Sequence, residues 1–247
     1  MGKVKKENQL FYNPLRQAII NYDMIQPNEK IAVGISGGKD SITLLTLLDT
    51  ISKQKRLGFS FEIIPICLDL GFETDIQPLI DYVERLGYSL EIVPTKVAEV
   101  VFDIRKETNP CSLCAKLRRG ILYSHAKKLG CSKVALGHHL DDAIETFFLN
   151  FLFHGQFDSF QPKTYLTKTD ISIIRPMIYV EEKDIRRFVN EMDIPVIFNP
   201  CPVDKKTKRE EMKSLVADLK KKYPLIKRRF LQGVENPNQD TSWVIKQ

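Results

Sequence analysis

The stretch KIAVGISGGKDSITLLTLLDTISK, residues 30–53, decides the fold. Lys30 to Ile35 is a short apolar run of strand length, and Leu44, Leu45, Leu47, Leu48 and Ile51 recur at helical spacing. The turn between them is Ser36-Gly37-Gly38-Lys39-Asp40-Ser41. Adjacent glycines let backbone N–H groups turn inward around an anion, the following helix adds its positive dipole end, and Lys39 adds a full charge. The turn is therefore a phosphate cradle set between a strand and a helix. It is not the common P-loop: the glycine spacing is one residue short, and Asp40 stands where Ser or Thr should follow the lysine. A glycine-rich turn without a ligand has no use for Lys, Asp and Ser in succession.

Working outward, Phe61 to Leu68, Leu90 to Pro94 and Lys133 to Leu136 read as further strands, with helical spacing between them. Strand, helix, strand, repeated, is an α/β pattern: a mostly parallel sheet with helices on both faces, whose ligands sit beyond the carboxyl ends of the strands. Residues 8–25 form a helical lead-in, and helices are expected at Glu181 to Met192, Lys208 to Lys222 and Leu225 to Val234. Gly155 to Asp170 has no clear period and reads as a long loop or insertion. The expected organisation is a helical lead-in over 1–26, a nucleotide-binding α/β domain over 27–180 carrying a C-x-x-C, and a basic helical extension over 181–247 carrying a further cysteine. The last dozen residues read as a tail.

Of the 247 residues 43% are hydrophobic and 28% charged, which excludes a disordered or fibrous chain. No run approaches a membrane span and the first 30 residues lack the pattern of an export signal, so a cytoplasmic location without membrane association is expected. Five cysteines in such a chain argue for thiols, metal ligands or catalysis over structural disulfides. The formal charge of +6 is localised: residues 1–200 hold 25 basic and 25 acidic residues, and residues 201–247 hold 12 and 6. A Lys-rich run is by itself an ordinary solvated helix face, but an excess confined to one end also fits a polyanion.

A second turn rich in chemistry follows Leu136: Gly137-His138-His139-Leu140-Asp141-Asp142, then an apolar helix. Paired carboxylates at a strand's end, near a triphosphate, suit a magnesium ion or a general acid/base step, although acids in a first helical turn also stabilise the dipole. Cys111 and Cys114 open a basic helix after Pro110, which places both thiols on one face of its first turn. The helix N-terminus and the nearby Lys116, Arg118 and Arg119 are expected to lower their pKa values. Cys201 lies between Pro200 and Pro202, in a rigid extended turn; Cys67 and Cys131 sit in apolar contexts and are expected to be buried and inert. A single C-x-x-C serves zinc sites, redox pairs and iron–sulfur ligation alike. Structural zinc usually takes four ligands and there is no second pair, and a thioredoxin-like pattern is absent. Three thiolates around an iron–sulfur cluster leave one iron without a protein ligand.

SGGKDS resembles the signature of the PP-loop ATP pyrophosphatase superfamily, which implies cleavage of ATP between the α and β phosphates with Ser36, Gly37, Gly38, Lys39, Asp40 and Ser41 around the triphosphate and Gly137 and His138 beside it. Taken with NPCSLCAKLRRG, LGHHLDDAIETFFLN, IIRPM and NPCP, in this order over roughly residues 25–205, the chain resembles the tRNA 2-thiocytidine synthetase family and its thiouridine-making relatives. The resemblance implies a homodimeric enzyme using ATP, Mg2+ and a [4Fe–4S] cluster. It makes Cys111, Cys114 and Cys201 the cluster ligands, puts Asp141 and Asp142 near ATP or the reacting base, and sets Arg175 beyond a later strand. The terminal zinc modules of the thiouridine branch are missing, which favours the thiocytidine-like branch. The segment after the third cysteine, Pro202-Val203-Asp204-Lys205-Lys206, departs from that family's usual cysteine and glycine.

The implied function is ATP-dependent tRNA thiolation. AMP transferred to the C2 oxygen of a pyrimidine, cytidine first, turns a poor leaving group into a good one, and sulfur delivered through the cluster replaces it. The partners implied are tRNA and a sulfur donor, as sulfide or persulfide from a cysteine desulfurase. The basic C-terminal helices, with Phe157, Phe160, Lys163, Tyr165 and Lys168, are the candidate RNA contacts. Two alternatives stand beside it. A PP-loop ligase of the lysidine- or amide-forming type has no use for three placed cysteines. A non-catalytic nucleotide-binding metal or redox sensor has no use for the lysine and paired aspartates.

Overall fold

A computed structural model describes residues 8–105, 110–197, 201 and 208–236 of the chain. In chain order, a π-helical turn (Asn8–Tyr12) runs into α1 (Asn13–Asn21), then β1 (Lys30–Ile35), α2 (Lys39–Lys53), β2 (Glu62–Asp69), α3 (Gln77–Arg85) and β3 (Glu91–Pro94). A second π-helical turn (Glu99–Ile104) precedes α4 (Pro110–Lys128), β4 (Lys133–Ala135) and α5 (Leu140–His154). After these come β5 (Lys163–Leu166), β6 (Ile171–Ile174), α6 (Glu182–Glu191), α7 (Lys208–Lys222) and α8 (Ile226–Glu235).

The strands form one sheet in the order β3-β2-β1-β4-β6-β5, parallel throughout except for β5, which runs antiparallel to β6. β1 lies between β2 and β4, with Ile31 opposite both Ile63 and Lys133. From β1 the chain steps outward through β2 to β3, then returns to the other side of β1 as β4. That reversal is a switch point, where the turns after two neighbouring strands diverge and leave a crevice at the carboxyl edge.

Ile31, Ala32 and Val33 are fully buried, as expected for a central parallel strand covered on both faces. Leu122, Tyr123 and Ala126 of α4 pack with Ala32, Ile66, Val134 and Ile173 on one face. Alternation turns Ile31, Val33 and Ile35 to the other face, where they too are buried. α2 touches β1 and β2 and is buried almost all round from Ser41 to Ser52, the mark of a core helix. Full burial of Leu44, Leu45, Leu47 and Leu48 contributes about 1.5–3 kcal/mol each. Lys133, buried in β4, is paired with Glu29.

Where a long loop was expected over Gly155–Asp170, the structure has the edge strand β5 in a hairpin with β6. Lys163-Thr164-Tyr165-Leu166 is too short to carry a legible alternation, and its partner supplies the order. The chain divides into two compact units, one of residues 1–140 and 161–204, the other of 141–160 and 205–247. This division does not follow the expected boundary at 180: α6 contacts α2, Phe188 of α6 lies 4.8 Å from Phe11, and Cys201 belongs to the sheet-bearing unit. The second unit holds α7, α8 and α5 from Asp141 onward. Among the described residues no helix is long and apolar enough to cross a membrane.

Candidate active site

In the turn after β1, the Ser41 hydroxyl folds the loop from within. It donates to the Gly38 carbonyl at 2.9 Å and accepts the Ser36 N–H at 3.1 Å, with the Ser36 hydroxyl 3.2 Å away. No side chain caps the helix that begins at Lys39, so its first-turn N–H groups are left to an anion. Gly37 has φ +78°, and a Cβ there would meet the Ile197 Cβ at 3.0 Å. The Ile197 N–H donates to the Gly37 carbonyl at 2.9 Å, so the segment after α6 closes one wall of the loop. A cleft of about 410 Å³ opens beside that wall, between Thr74, Asp75 and Pro78 on one side and Pro195 to Ile197 on the other.

Lys39 binds Asp40 at 2.9 Å and Glu182, the first residue of α6, at 3.1 Å. Burial alone would lower its pKa, but the two carboxylates outweigh burial and hold it above the ordinary value. It therefore stays charged at neutral pH. Arg186 balances Glu182 from the next turn at 2.8 Å. The other Asp40 oxygen, Oδ1, is buried without a hydrogen-bond partner, with His139 Nε2 at 3.6 Å. A buried carboxylate oxygen beside a phosphate cradle is the donor a magnesium ion takes.

The turn after β4 meets this loop at the switch point. A Cβ on Gly137 would come within 2.9 Å of the Asp40 carbonyl carbon and 3.0 Å of the Ser41 nitrogen. His138, expected beside the nucleotide, is half-buried on this turn, and it is the buried His139 that reaches Asp40. Arg175, just past β6, donates to the Gln161 carbonyl at 2.5 Å; burial, with Arg119 nearby, lowers its pKa.

The thiols lie at the same edge of the sheet. Cys114 and Leu117 of α4 pack on a small apolar cluster of Leu70, Val97 and Val101, residues that follow β2 and β3. Cys111 is exposed, while Cys114 and Cys201 are half-buried. Cys114 does not have the lowered pKa expected of it. Burial pushes its thiol up, the charges of Cys201 and Cys111 add to the rise, and Arg118 only partly opposes it. Cys201, 87 positions further along the chain, is thus within electrostatic reach of Cys114. Pro200 and Pro202 lie outside the described residues. Among the described residues no three His, Cys, Asp or Glu side chains close around a single ion. Cys67 and Cys131 are buried, and burial raises each to about 11.

In the second unit, Asp141 and Asp142 open the acidic first turn of α5, and neither stands as a bare carboxylate. Asp141 is paired with Lys227 of α8, and Asp142 with Arg209 of α7 at 3.6 Å. Arg209 also reaches Glu145 at 3.5 Å. Burial and Asp142 raise the Glu145 carboxyl to about 7. Phe157, Phe151, Phe147 and Phe230 form a chain of ring contacts 4.8 to 6.3 Å apart, with Phe157 78% exposed at its outer end. Of the expected RNA contacts in the sheet-bearing unit, Lys163 bonds Asp23 and Tyr165 bonds Asp170 at 2.8 Å.

His139, Glu182, Ile197 and Glu145 were not singled out from sequence, and Arg209 and Lys227 were read only as part of the basic C-terminal helices. Only His139 and Glu145, one turn past the paired aspartates, carried a local signal. The others come from elements distant in the chain.

Residues 5–219 match the model of the PP-loop domain family. The chain is 36% identical over 230 residues to the tRNA-cytidine(32) 2-sulfurtransferase of Geobacter sulfurreducens, covering 91% of this chain and 88% of that one. It is 38% identical over 237 residues to the tRNA-cytidine(32) 2-sulfurtransferase of Aliivibrio fischeri strain MJ11, covering 91% and 76%. Among solved structures, the U34-tRNA thiolase NcsA from Methanococcus maripaludis with its [4Fe–4S] cluster superposes with a TM-score of 0.72 at 25% identity, covering 90% of this chain and 76% of that one. A phosphate cradle at the carboxyl edge of a parallel sheet thus agrees with a match over most of the length: the chain belongs to the PP-loop family and, within it, to the tRNA-cytidine(32) 2-sulfurtransferase family.

Proposed function

We propose that this chain is an ATP-dependent tRNA thiolase that adenylates the C2 oxygen of a cytidine and replaces it with sulfur. The observation that supports the proposal is a phosphate loop after β1 and, beyond β2 and β3 of the same parallel sheet, Cys114 within electrostatic reach of Cys111 and Cys201. Ser36 to Ser41 hold the triphosphate, the open N–H groups of α2 and the charged Lys39 opposing the charge on the departing pyrophosphate. Gly137 and His138 line the same crevice. The cleft beside Ile197 has the volume of a small-ligand pocket and takes the nucleoside end. Mg2+, held by the Asp40 carboxylate with the phosphates, supplies further positive charge there.

Cys111, Cys114 and Cys201 are the proposed ligands of a [4Fe–4S] cluster, which when bound supplies one iron with a position open to sulfur. The apolar cluster under Cys114 keeps water from that side. Asp141 and Asp142 are the proposed carboxylates acting on the base. C2 lies on the Watson–Crick edge of cytidine, so the base must be unpaired to react, and its neighbours need surfaces to stack on. The exposed Phe157 and the exposed Lys221, Lys222, Arg228 and Arg229 of α7 and α8 serve that need. A cysteine desulfurase supplies the sulfur, the enzyme works as a homodimer, and it resides in the cytoplasm.

Full-length protein purified without oxygen is expected to be brown and to contain iron and acid-labile sulfide. Cys201→Ala is expected to retain ATP binding and to form no 2-thiocytidine, measured by nucleoside mass spectrometry of tRNA. Colourless protein holding zinc, or normal 2-thiocytidine from Cys201→Ala, would overturn the proposal.

A further inference from the structure

The basic C-terminal helices carry two kinds of cation. Arg228, Arg229, Lys221 and Lys222 are exposed, where phosphates arrive from solvent. Lys227 is different: it is only 8% exposed, and its ammonium is paired with the Asp141 carboxylate. A lysine that serves a polyanion keeps its head in water, whereas a buried ammonium persists only when it is paired. Arg209, at the start of α7, sits over the next two carboxylates, Asp142 at 3.6 Å and Glu145 at 3.5 Å, and bonds the Thr146 hydroxyl at 3.2 Å. Lys213 is a second cation acting on Glu145.

Three acids in adjacent turns of α5 therefore face three cations from α7 and α8. Asp141 and Asp142 are sequence neighbours, and Glu145 falls four residues after Asp141 on the same helix face, so without counter-charges they repel. Repelled carboxylates turn toward solvent or take up protons, and neither state holds an oxygen at a fixed place. We infer that Lys227 and Arg209 are positioning residues of the reaction, acting through Asp141 and Asp142, and are not contacts to the RNA backbone. The inference rests on the thiolation proposal above, since it assigns these residues a part in that same step. Their effect falls on turnover, because a misplacement of about 1 Å in a reacting group costs on the order of a hundredfold in rate.

The test uses the anaerobically purified, cluster-loaded, full-length enzyme and tRNA from a strain lacking it. Lys227→Gln is expected to bind tRNA within about twofold of the parent, with an unchanged dependence of affinity on salt, and to lose about tenfold or more in kcat. Asp141→Asn with Lys227→Gln is expected to be no slower than the slower single variant, because the pair acts as one unit. Lys227→Arg separates the roles even if Lys227→Gln does not fold. A phosphate contact accepts either cation, but the planar guanidinium does not reproduce the ammonium's hold on Asp141, so kcat falls while tRNA affinity stays. Arg209→Gln is expected to follow Lys227→Gln. A tenfold rise in the tRNA Kd with kcat retained at saturation, a salt slope reduced by about one, or independent losses in the double variant each overturn the inference alone. A parent enzyme that forms no 2-thiocytidine overturns the thiolation proposal and the inference with it.

Discussion

At Gly137 an added methyl group would press on the backbone of Asp40 and Ser41, at 2.9 and 3.0 Å. Backbone cannot swing aside as a side-chain tip can, so Gly137→Ala must part the two turns of the crevice. It is expected to lower stability by about 1–3 kcal/mol in thermal melts and to weaken ATP binding in calorimetry. Glu145 makes a different prediction, through pH. Burial, then the charge of Asp142, lifts its folded pKa from 4.5 to about 7, so the fold favours its protonated form. The folded state binds more protons than the unfolded chain between those values, and stability falls as pH rises through that window. Glu145→Gln cannot ionise, so its Tm relative to the parent is expected to rise between pH 5 and pH 8. A difference that stays constant across that range would contradict the burial argument.

At the scale of elements, α4 gives its sulfurs unequal surroundings. Cys111 is exposed, Cys114 is set against Leu70 and Val97 with a raised pKa, and Cys67 and Cys131 are buried near 11. Iodoacetamide on metal-free protein is expected to label Cys111 before Cys114 and to reach Cys67 and Cys131 only on unfolding, as read by mass spectrometry. The loop before α2 depends in the same way on one hydroxyl. Ser41→Ala removes the bonds to the Gly38 carbonyl and the Ser36 N–H, and is expected to weaken ATP affinity more than it lowers Tm. Strands β1 to β4 and helices α6 to α8 were legible within a residue or two, because a buried strand and an amphipathic helix each leave a period in the chain. The edge strand β5 was not, because its four residues take their order from β6.

Over the whole molecule, the described part of the charge excess in the last 47 residues divides into exposed cations and cations paired with the acids of α5. Replacing the exposed Lys221, Lys222, Arg228 and Arg229 with Ala is expected to weaken tRNA binding and to flatten its salt dependence by up to about one log unit per lost phosphate contact. No count of lysines could have set Lys227 apart from Arg228, its neighbour in the chain, since burial is a property of the assembled helices. The sequence by itself determined the phosphate loop and the parallel sheet behind it, because both are written in local spacing and residue chemistry, whereas the grouping of Cys111, Cys114 and Cys201 is implied by the family resemblance alone. Only the tertiary structure decided that His139, Glu182 and Ile197 close on the loop, that Cys201 comes within reach of Cys114, and that Lys227 and Arg209 answer the acids of α5. Those pairings join residues tens of positions apart, and the chain brings them together only by burying the apolar faces that lie between them.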